Sequence, residues 1–336
     1  MSNIQLIILA TCGLFSFGFA TLLGKVVIPA LQRLHFGQTI LEEGPAWHQK
    51  KQGTPTMGGV IFIFATFLTS VLGLLAAQLF LNDKPFSDGA LWVTKLLGVL
   101  LLPLGCSAIG FADDYIKVVK KRNLGLTATQ KLLAQLLVSV LYALSQFLVG
   151  ATKIHVPFFG MVDFGFWYIP FCVFVIIAMS NATNLTDGVD GLCGSVSFVA
   201  VLPFVVLAGY CAAFGLELIA VSFAGALAGF LVWNLHPAKV FMGDTGSLYI
   251  GAVLTALAFA LNIPFILVPV GIIYILENLS VILQVSYFKI TKGKRLFKMS
   301  PLHHHFEMCG WKENTIVLVF SAVTLVGAVL AVLLML

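Results

Sequence analysis

Residues 57–81 read MGGVIFIFATFLTSVLGLLAAQLFL and contain no charged side chain. An α-helix rises about 1.5 Å per residue, so a run of this length crosses the roughly 30 Å of hydrocarbon in a bilayer. Comparable runs recur along the chain, in which 60% of residues are hydrophobic and only 10% are charged. Because this composition is far more apolar than that of a soluble domain, the sequence predicts an all-α integral membrane protein, a polytopic bundle of about ten transmembrane helices.

The apolar runs follow one another closely and form a single domain over residues 1–336. Helix boundaries predicted from such runs hold to within a few residues. The predicted spans lie at about 4–31, 57–81, 92–112, 131–150, 166–184, 192–213, 217–234, 248–263, 265–289 and 315–336.

Lysine and arginine favour cytoplasmic loops and therefore predict the orientation of the bundle. Fifteen of these residues lie in or at the edges of one set of loops, whereas the opposite loops contain only Lys84 and Lys153. We therefore expect both termini outside. The basic loops also account for the net charge of +5, so no nucleic-acid partner is predicted. The predicted cytoplasmic loops, which include a short turn at 185–191, lie at about 32–56, 113–131, 185–191, 235–247 and 290–314.

Acidic residues are concentrated at the predicted cytoplasmic ends of the spans. The chain has only 14 Asp and Glu, yet five of them are Asp113, Asp114, Asp187, Asp190 and Asp244. Carboxylates beside lipid-facing segments are costly and usually mark function. Adjacent residues on a helix point about 100° apart, so we expect Asp113 and Asp114 to do different jobs. The alternative is a solvated helix end whose acids pair with nearby lysines.

Two acidic segments have the composition of a ligand site. Residues 181–191 read NATNLTDGVDG, and a simple turn does not require Asn181 and Asn184 on one helical face before it. Residues 241–247 read FMGDTGS and place Asp244 at a helix start. This arrangement suits Mg²⁺, which takes one or two carboxylates plus substrate phosphates, although the same residues also make a good helix cap.

Basic and histidine-rich loops supply groups that bind phosphate. Residues 50–59 read KKQGTPTMGG, where lysines, hydroxyls and free backbone N–H groups suit phosphate, or else simply anchor a helix start. Residues 300–307 read SPLHHHFE. Consecutive histidines on a regular helix cannot all face one zinc ion, which leaves phosphate contacts as their predicted role.

One face of the ninth span is polar in an otherwise apolar run. Glu277, Ser280 and Gln284 share this face. We expect it to turn toward the bundle or the site, while the other side of the helix meets the lipid and a polyprenyl chain. Hydrogen bonding between helices is an equally good explanation of the same pattern.

Five motifs together resemble one known family. Thr54–Gly59, Asp113–Tyr115, Asn184–Gly188, Phe241–Asp244 and Pro301–Glu307 occur in the order found in phospho-N-acetylmuramoyl-pentapeptide transferases. Related polyprenyl-phosphate sugar-1-phosphate transferases share the aspartate motifs. The triple-histidine loop and the Thr-Pro-Thr-Met-Gly-Gly segment favour the muramoyl-pentapeptide branch, and the resemblance covers essentially the whole chain.

The resemblance implies transfer of phospho-MurNAc-pentapeptide from UDP-MurNAc-pentapeptide to undecaprenyl phosphate, giving lipid I and UMP with Mg²⁺. It also implies a homodimer in a bacterial cell membrane, with the active site on the cytoplasmic face. Another polyprenyl-phosphate N-acetylhexosamine-1-phosphate transferase is the nearest alternative. A secondary transporter would place its ionisable groups near the bilayer midplane, and a structural protein would need no grouped Asp, His and Lys.

This interpretation gives a role to each polar group. Asp244, with Asp187, would hold Mg²⁺ on the pyrophosphate, and Asp113 would orient or deprotonate the lipid phosphate. Phe241 would stack on uracil. The predicted catalytic residues are Asp113, Asp114, Asp187, Asp244 and His303. The predicted substrate-binding residues are Lys51, Thr56, Lys117, Lys121, Lys131, Asn181, Asn184, Asp190, Asn234, Phe241, His304 and His305.

The orientation can be tested with single cysteines placed in a cysteine-free variant. A cysteine in loop 82–91 should react with a membrane-impermeant thiol reagent added to intact cells, because that loop is predicted outside. A cysteine at 292–298 should react only after the cells are opened. The reverse pattern would contradict the orientation derived from the basic loops.

Overall fold

The computed structural model describes residues 2–34, 51, 53–81, 85, 89–120 and 124–335. Most of the described chain is helical. The helices before a β-hairpin are α1 (Asn3–Arg33), α2 (Gly59–Phe80), α3 (Ala90–Val119) and α4 (Ala128–Leu148). Those after it are α5 (Tyr168–Thr186), α6 (Leu192–Tyr210), α7 (Phe214–Asn234), α8 (Gly243–Ala260), α9 (Leu267–Val270), α10 (Ile272–Ile290), α11 (Leu302–Met308) and α12 (Glu313–Leu333).

Ten helices in the described part of the chain are long and apolar enough to cross a membrane. They are α1 to α8, α10 and α12, and they match the predicted spans one for one. The prediction of a polytopic all-α membrane protein is therefore confirmed. Side chains such as Leu14 on α1 and Leu79 on α2 remain exposed on the outside of the bundle, as expected for surfaces that face lipid tails.

Two helices differ from their predicted spans in ways that matter for the site. Helix α3 continues to Val119 instead of ending near residue 112, so Asp113 and Asp114 lie within the helix and are buried. The predicted ninth span is broken into a 3₁₀ turn at Pro264–Ile266, the short α9 and then α10. Proline lacks the backbone N–H that continues a helix, and Pro264, Pro269 and Gly271 lie together at this break.

A small β-hairpin between α4 and α5 was not expected from the sequence. Strands β1 (Lys153–Val156) and β2 (Gly160–Asp163) pair antiparallel, with Lys153 opposite Asp163. Phe158 and Gly160 adopt positive φ angles of 70° and 77° in the turn. The hairpin lies at the end of the bundle opposite Asp113 and Asp244, because α4 runs away from that end.

Helix α8 lies at the centre of the bundle, and 89% of its residues are buried. It packs most closely against α3 and α5. Glycines allow this approach: a Cβ on Gly110 of α3 would overlap the carbonyl oxygen of Asp244 and the amide of Thr245. Close packing of small residues is the usual way in which membrane helices associate. It places the Asp113 and Asp114 carboxylates of α3 directly beside the first turn of α8.

Gly110→Ala should destabilise the bundle, because the added methyl group forces α3 away from α8. Overpacking of this kind costs about 1–3 kcal/mol. Thermal unfolding in detergent measures the effect. The matched control is Gly18→Ala on α1, where nothing lies within 4 Å of an added Cβ. Equal unfolding temperatures for the two variants would contradict the close α3–α8 contact.

Candidate active site

Three carboxylates from two helices meet at one end of the bundle. Oxygen atoms of Asp113, Asp114 and Asp244 lie within 4.8 Å of one another. We call these residues the acidic trio. Asp113 and Asp114 lie within the last third of α3, whereas Asp244 lies in the first turn of α8, so only the packing of α3 on α8 brings them together. A cluster of oxygen ligands with this spacing can hold a hard divalent cation.

Asp114 and Asp113 have different partners, although they are adjacent in sequence. Asp114 accepts hydrogen bonds from the amide of Asp244 at 3.2 Å, and from the amide and hydroxyl of Thr245 at 2.9 and 2.7 Å. These bonds satisfy free N–H groups at the start of α8. Asp113 instead accepts from the amide of Leu126 at 2.7 Å, in the segment that leads into α4. Asp114 therefore fixes α8, and Asp113 fixes the loop.

Two lysines neutralise part of the charge of the acidic trio. The Nζ of Lys117 lies 3.2 Å from Oδ2 of Asp244 and also pairs with Asp113. The Nζ of Lys131 lies 2.8 Å from the same Oδ2. Asn184 donates to the other oxygen, Oδ1, at 2.8 Å. Both oxygens of Asp244 thus already bind cationic or polar donors supplied by three other helices.

The Asp187–Gly188 turn lies between the acidic trio and a second charged group. Burial and the negative charges of Asp244, Asp114 and Asp190 raise the pKa of Asp187 to about 8. Asp187 does not belong to the trio itself, since its oxygens fall outside the group that meets within 4.8 Å among the described residues. Burial is the larger cause of this shift and the neighbouring carboxylates add to it, so a cation bound nearby would favour the ionised form of Asp187.

The second group, the Asp190 cluster, consists of Lys51, Asp190, His236 and Glu313. Lys51 Nζ lies 2.8 Å from Asp190 and 2.6 Å from Glu313, and His236 Nδ1 lies 2.9 Å from Asp190. Burial alone would raise the pKa of Asp190, but hydrogen bonds and charge from Lys51, with bonds from Ala238 and His236, lower it below its usual value. The cluster joins four segments that are distant in sequence.

The three histidines of α11 point to three different partners. His303 is buried beside Glu277, with Nδ1 3.2 Å from Oε2. His304 Nδ1 lies 2.7 Å from Glu307, and His305 Nδ1 accepts from the amide of Lys298 at 3.2 Å. This divergence follows from the rotation of about 100° per residue along a helix.

The remaining predicted residues divide between the site and its supports. The side chains of Thr56 and Asp114 lie close together at Gly243, where an added Cβ would overlap atoms of both. Phe241 is half-buried, and its amide donates to the carbonyl of Pro55 at 2.8 Å, which joins two of the sequence motifs. Asn234 is buried and donates to the carbonyl of Val240 at 2.9 Å, so it closes its own loop.

Two predicted residues do not join these groups in the structure. Asn181 donates to Gln135 on α4 at 3.0 Å and to the carbonyl of Ile177 at 2.8 Å, which ties two helices together. Lys121 lies outside the described residues.

Sequence reasoning missed two members of the Asp190 cluster. Glu313 is the first residue of α12 and looks like an ordinary helix start in sequence. His236 precedes a proline in a short loop. Neither has a local signal, because the partners of both residues come from distant segments. Only the location of Lys51 and Asp190 on the same predicted side of the membrane gave an indirect indication.

The fold and the site define a class of protein. All these groups lie at one end of a ten-helix bundle, since they follow or precede the helix ends that face the same side. Carboxylates, lysines and histidines at the edge of a membrane domain are typical of a membrane transferase that acts on a polyanionic substrate.

Comparison with known proteins identifies the family. The model of glycosyl transferase family 4 matches residues 96–262, and signature 1 of the phospho-N-acetylmuramoyl-pentapeptide-transferases matches residues 51–63. A phospho-N-acetylmuramoyl-pentapeptide-transferase of Caldanaerobacter subterraneus is 48% identical over 96% of this chain and 97% of its own length. Those of Clostridium perfringens and Bacillus subtilis are 45% and 44% identical, over 94% and 95% of this chain and 95% of each relative. The chain therefore belongs to the phospho-N-acetylmuramoyl-pentapeptide-transferase family.

Proposed function

We propose that this protein transfers phospho-MurNAc-pentapeptide from UDP-MurNAc-pentapeptide to undecaprenyl phosphate, forming lipid I and UMP. The reaction would take place at the cytoplasmic face of a bacterial cell membrane. One observation carries the proposal: three carboxylates and two lysines, from motifs distant in sequence, meet where the membrane domain ends. A soluble nucleotide and a lipid phosphate can both reach such a position.

The residues of the site fit the magnesium ion that the family implies. The trio offers closely spaced carboxylate oxygens, and Asp187, whose pKa is raised by burial and by the charges of Asp244, Asp114 and Asp190, adds a further carboxyl group beside it. We propose that Asp244 and Asp187 hold the ion, with Asp114 acting through its bonds to the first turn of α8. When bound, Mg²⁺ would offset the charge of the pyrophosphate.

The two lysines that pair with Asp244 would bind the phosphates of the substrate. Lys117 and Lys131 share Oδ2 of Asp244, so a cation at that oxygen would compete with them. Their ammonium groups would then be available to phosphate oxygens at almost the same place. Phosphoryl transfer depends mainly on positioning and charge neutralisation, and these residues supply both.

Asp113 is the residue that we propose for the lipid phosphate. Its hydrogen bond to the amide of Leu126 and its pairing with Lys117 hold the carboxylate in one orientation. There it would orient or deprotonate the attacking phosphate in a single in-line displacement. The apolar outer side of α10, with exposed Leu279, Ile282 and Leu283, would lie along the polyprenyl chain.

The UDP end of the substrate would lie toward the Asp190 cluster. Lys51 and Asp190 offer charged groups, and half-buried Phe241 offers a ring face for the uracil. His304 and His305 would bind phosphates from the last loop, whereas Asn181 and Asn234 would support helix and loop positions. We also propose a homodimer, as the family resemblance implies.

Release of UMP by the purified protein tests this proposal. We expect release from UDP-MurNAc-pentapeptide when undecaprenyl phosphate and Mg²⁺ are both present, and none after chelation with EDTA. UDP-N-acetylglucosamine should give no product, because it suits a related sugar-1-phosphate transferase and lacks the muramoyl-pentapeptide that this branch transfers. Equal turnover of the two nucleotides would favour the alternative branch, and no turnover of either would contradict the transferase.

Asp244→Asn should lower turnover by about 100-fold or more, because the variant loses the charge that the two lysines and the cation share. The same UMP assay, run over a range of Mg²⁺ concentrations, measures the loss. Asp163→Asn, an exposed acid in the hairpin at the other end of the bundle, is the matched control and should behave like the wild type. Wild-type turnover of Asp244→Asn at ordinary Mg²⁺ would remove Asp244 from the site.

A further inference from the structure

Glu277 is a fully buried carboxylate within the membrane-spanning helix α10. An ionisable group at such a position is costly unless specific partners surround it. Its Oε1 accepts a hydrogen bond from the backbone amide of His303 at 3.2 Å. Its Oε2 lies 3.2 Å from Nδ1 of the same histidine, close enough for an ion pair. Both oxygens of Glu277 are therefore directed at one residue of the next loop.

The polar face of α10 holds that loop at a second place as well. Gln284, about two turns after Glu277, accepts from the amides of Leu296 and Phe297 at 3.1 and 2.8 Å. Ser280 between them donates to the carbonyl of Glu277 at 2.7 Å. The sequence allowed two roles for this polar face, a part in the site or packing between helices. In the structure it binds the backbone of the histidine loop.

The ring of His303 is clamped between α10 and the Asp187–Gly188 turn. Its side chain is 1% exposed, and a Cβ on Gly188 would overlap Nε2. Glycine is therefore needed for the ring to approach this closely. Within the described residues, neither ring nitrogen makes a hydrogen bond. Buried polar atoms normally have partners, so Nε2 is available to a ligand beside Asp187.

We propose that Glu277 is a positioning residue for the transfer. By facing Nδ1, its carboxylate fixes the orientation of the imidazole and presents Nε2 to a phosphate oxygen at the Asp187–Gly188 turn. Carboxylates that orient a functional histidine in this way are a common second layer of enzyme sites. This inference rests on the proposed function, since the phosphate belongs to that substrate.

Kinetics of Glu277→Gln test the proposal. Glutamine keeps the shape and an oxygen for the amide of His303, but it loses the carboxylate that faces Nδ1. We expect kcat to fall by about 10- to 100-fold, while KM for the UDP-linked substrate stays within about twofold. Glu217→Gln, which alters a buried carboxylate at the other end of the bundle, should retain the wild-type kcat.

A double-mutant cycle separates positioning from general damage. In a His303→Ala background, Glu277→Gln should cause no further loss, because the residue that it orients is gone. Wild-type kcat for Glu277→Gln, or a loss that simply multiplies with that of His303→Ala, would overturn the proposal.

A spectroscopic measurement keeps the test independent of activity. In protein labelled with ¹⁵N-histidine, the ring signals of His303 are identified by their disappearance in His303→Ala. They should shift in Glu277→Gln and stay in place in Glu217→Gln. If the wild type released no UMP, the proposed function would fail, whereas the spectra would still decide whether Glu277 sets the state of His303. Unchanged His303 signals in Glu277→Gln would refute the positioning role.

Discussion

The hydrogen bonds from the first turn of α8 to Asp114 are the interaction on which the rest of the site depends. The start of a helix has free N–H groups and a partial positive charge, and the amides of Asp244 and Thr245 direct theirs at one buried carboxylate. This cap comes from another membrane helix instead of from the loop before α8. It fixes the axial position of α3 against α8 and therefore the separation of Asp113 from Asp244.

The energetic problem of the site is too much negative charge at the edge of a low-dielectric bundle. Lys117 and Lys131 offset part of it, while burial and the nearby carboxylates together raise the pKa of Asp187. The same imbalance suits the proposed reaction, in which a divalent cation and a pyrophosphate enter together. A site that was already neutral would gain less from binding the cation.

The Asp187–Gly188 turn is the point where three parts of the molecule come together. Burial and the charges of Asp244, Asp114 and Asp190 raise the pKa of Asp187, and Gly188 makes room for the ring of His303. The turn is short and rich in glycine, so backbone can approach a side chain closely there. A change at α10, through Glu277, is in this way linked to the centre of the proposed active site.

The sequence by itself determined the membrane class, the ten spans and the gathering of the polar motifs at one end of the bundle. Long apolar runs and clustered charges are local signals, and the bilayer imposes the helix on each run without help from distant residues. The motifs also sufficed to indicate the family. Only the tertiary structure decided which residues touch. The position of Glu313 beside Lys51, the use of Asn181 by Gln135, and the contact of Glu277 with His303 each depend on how separate helices pack. The β-hairpin and the break before α10 also escaped prediction, since short strands and proline-rich segments in an apolar chain look like parts of a span. Helix packing joins residues that are far apart in sequence, and no local pattern encodes those pairings.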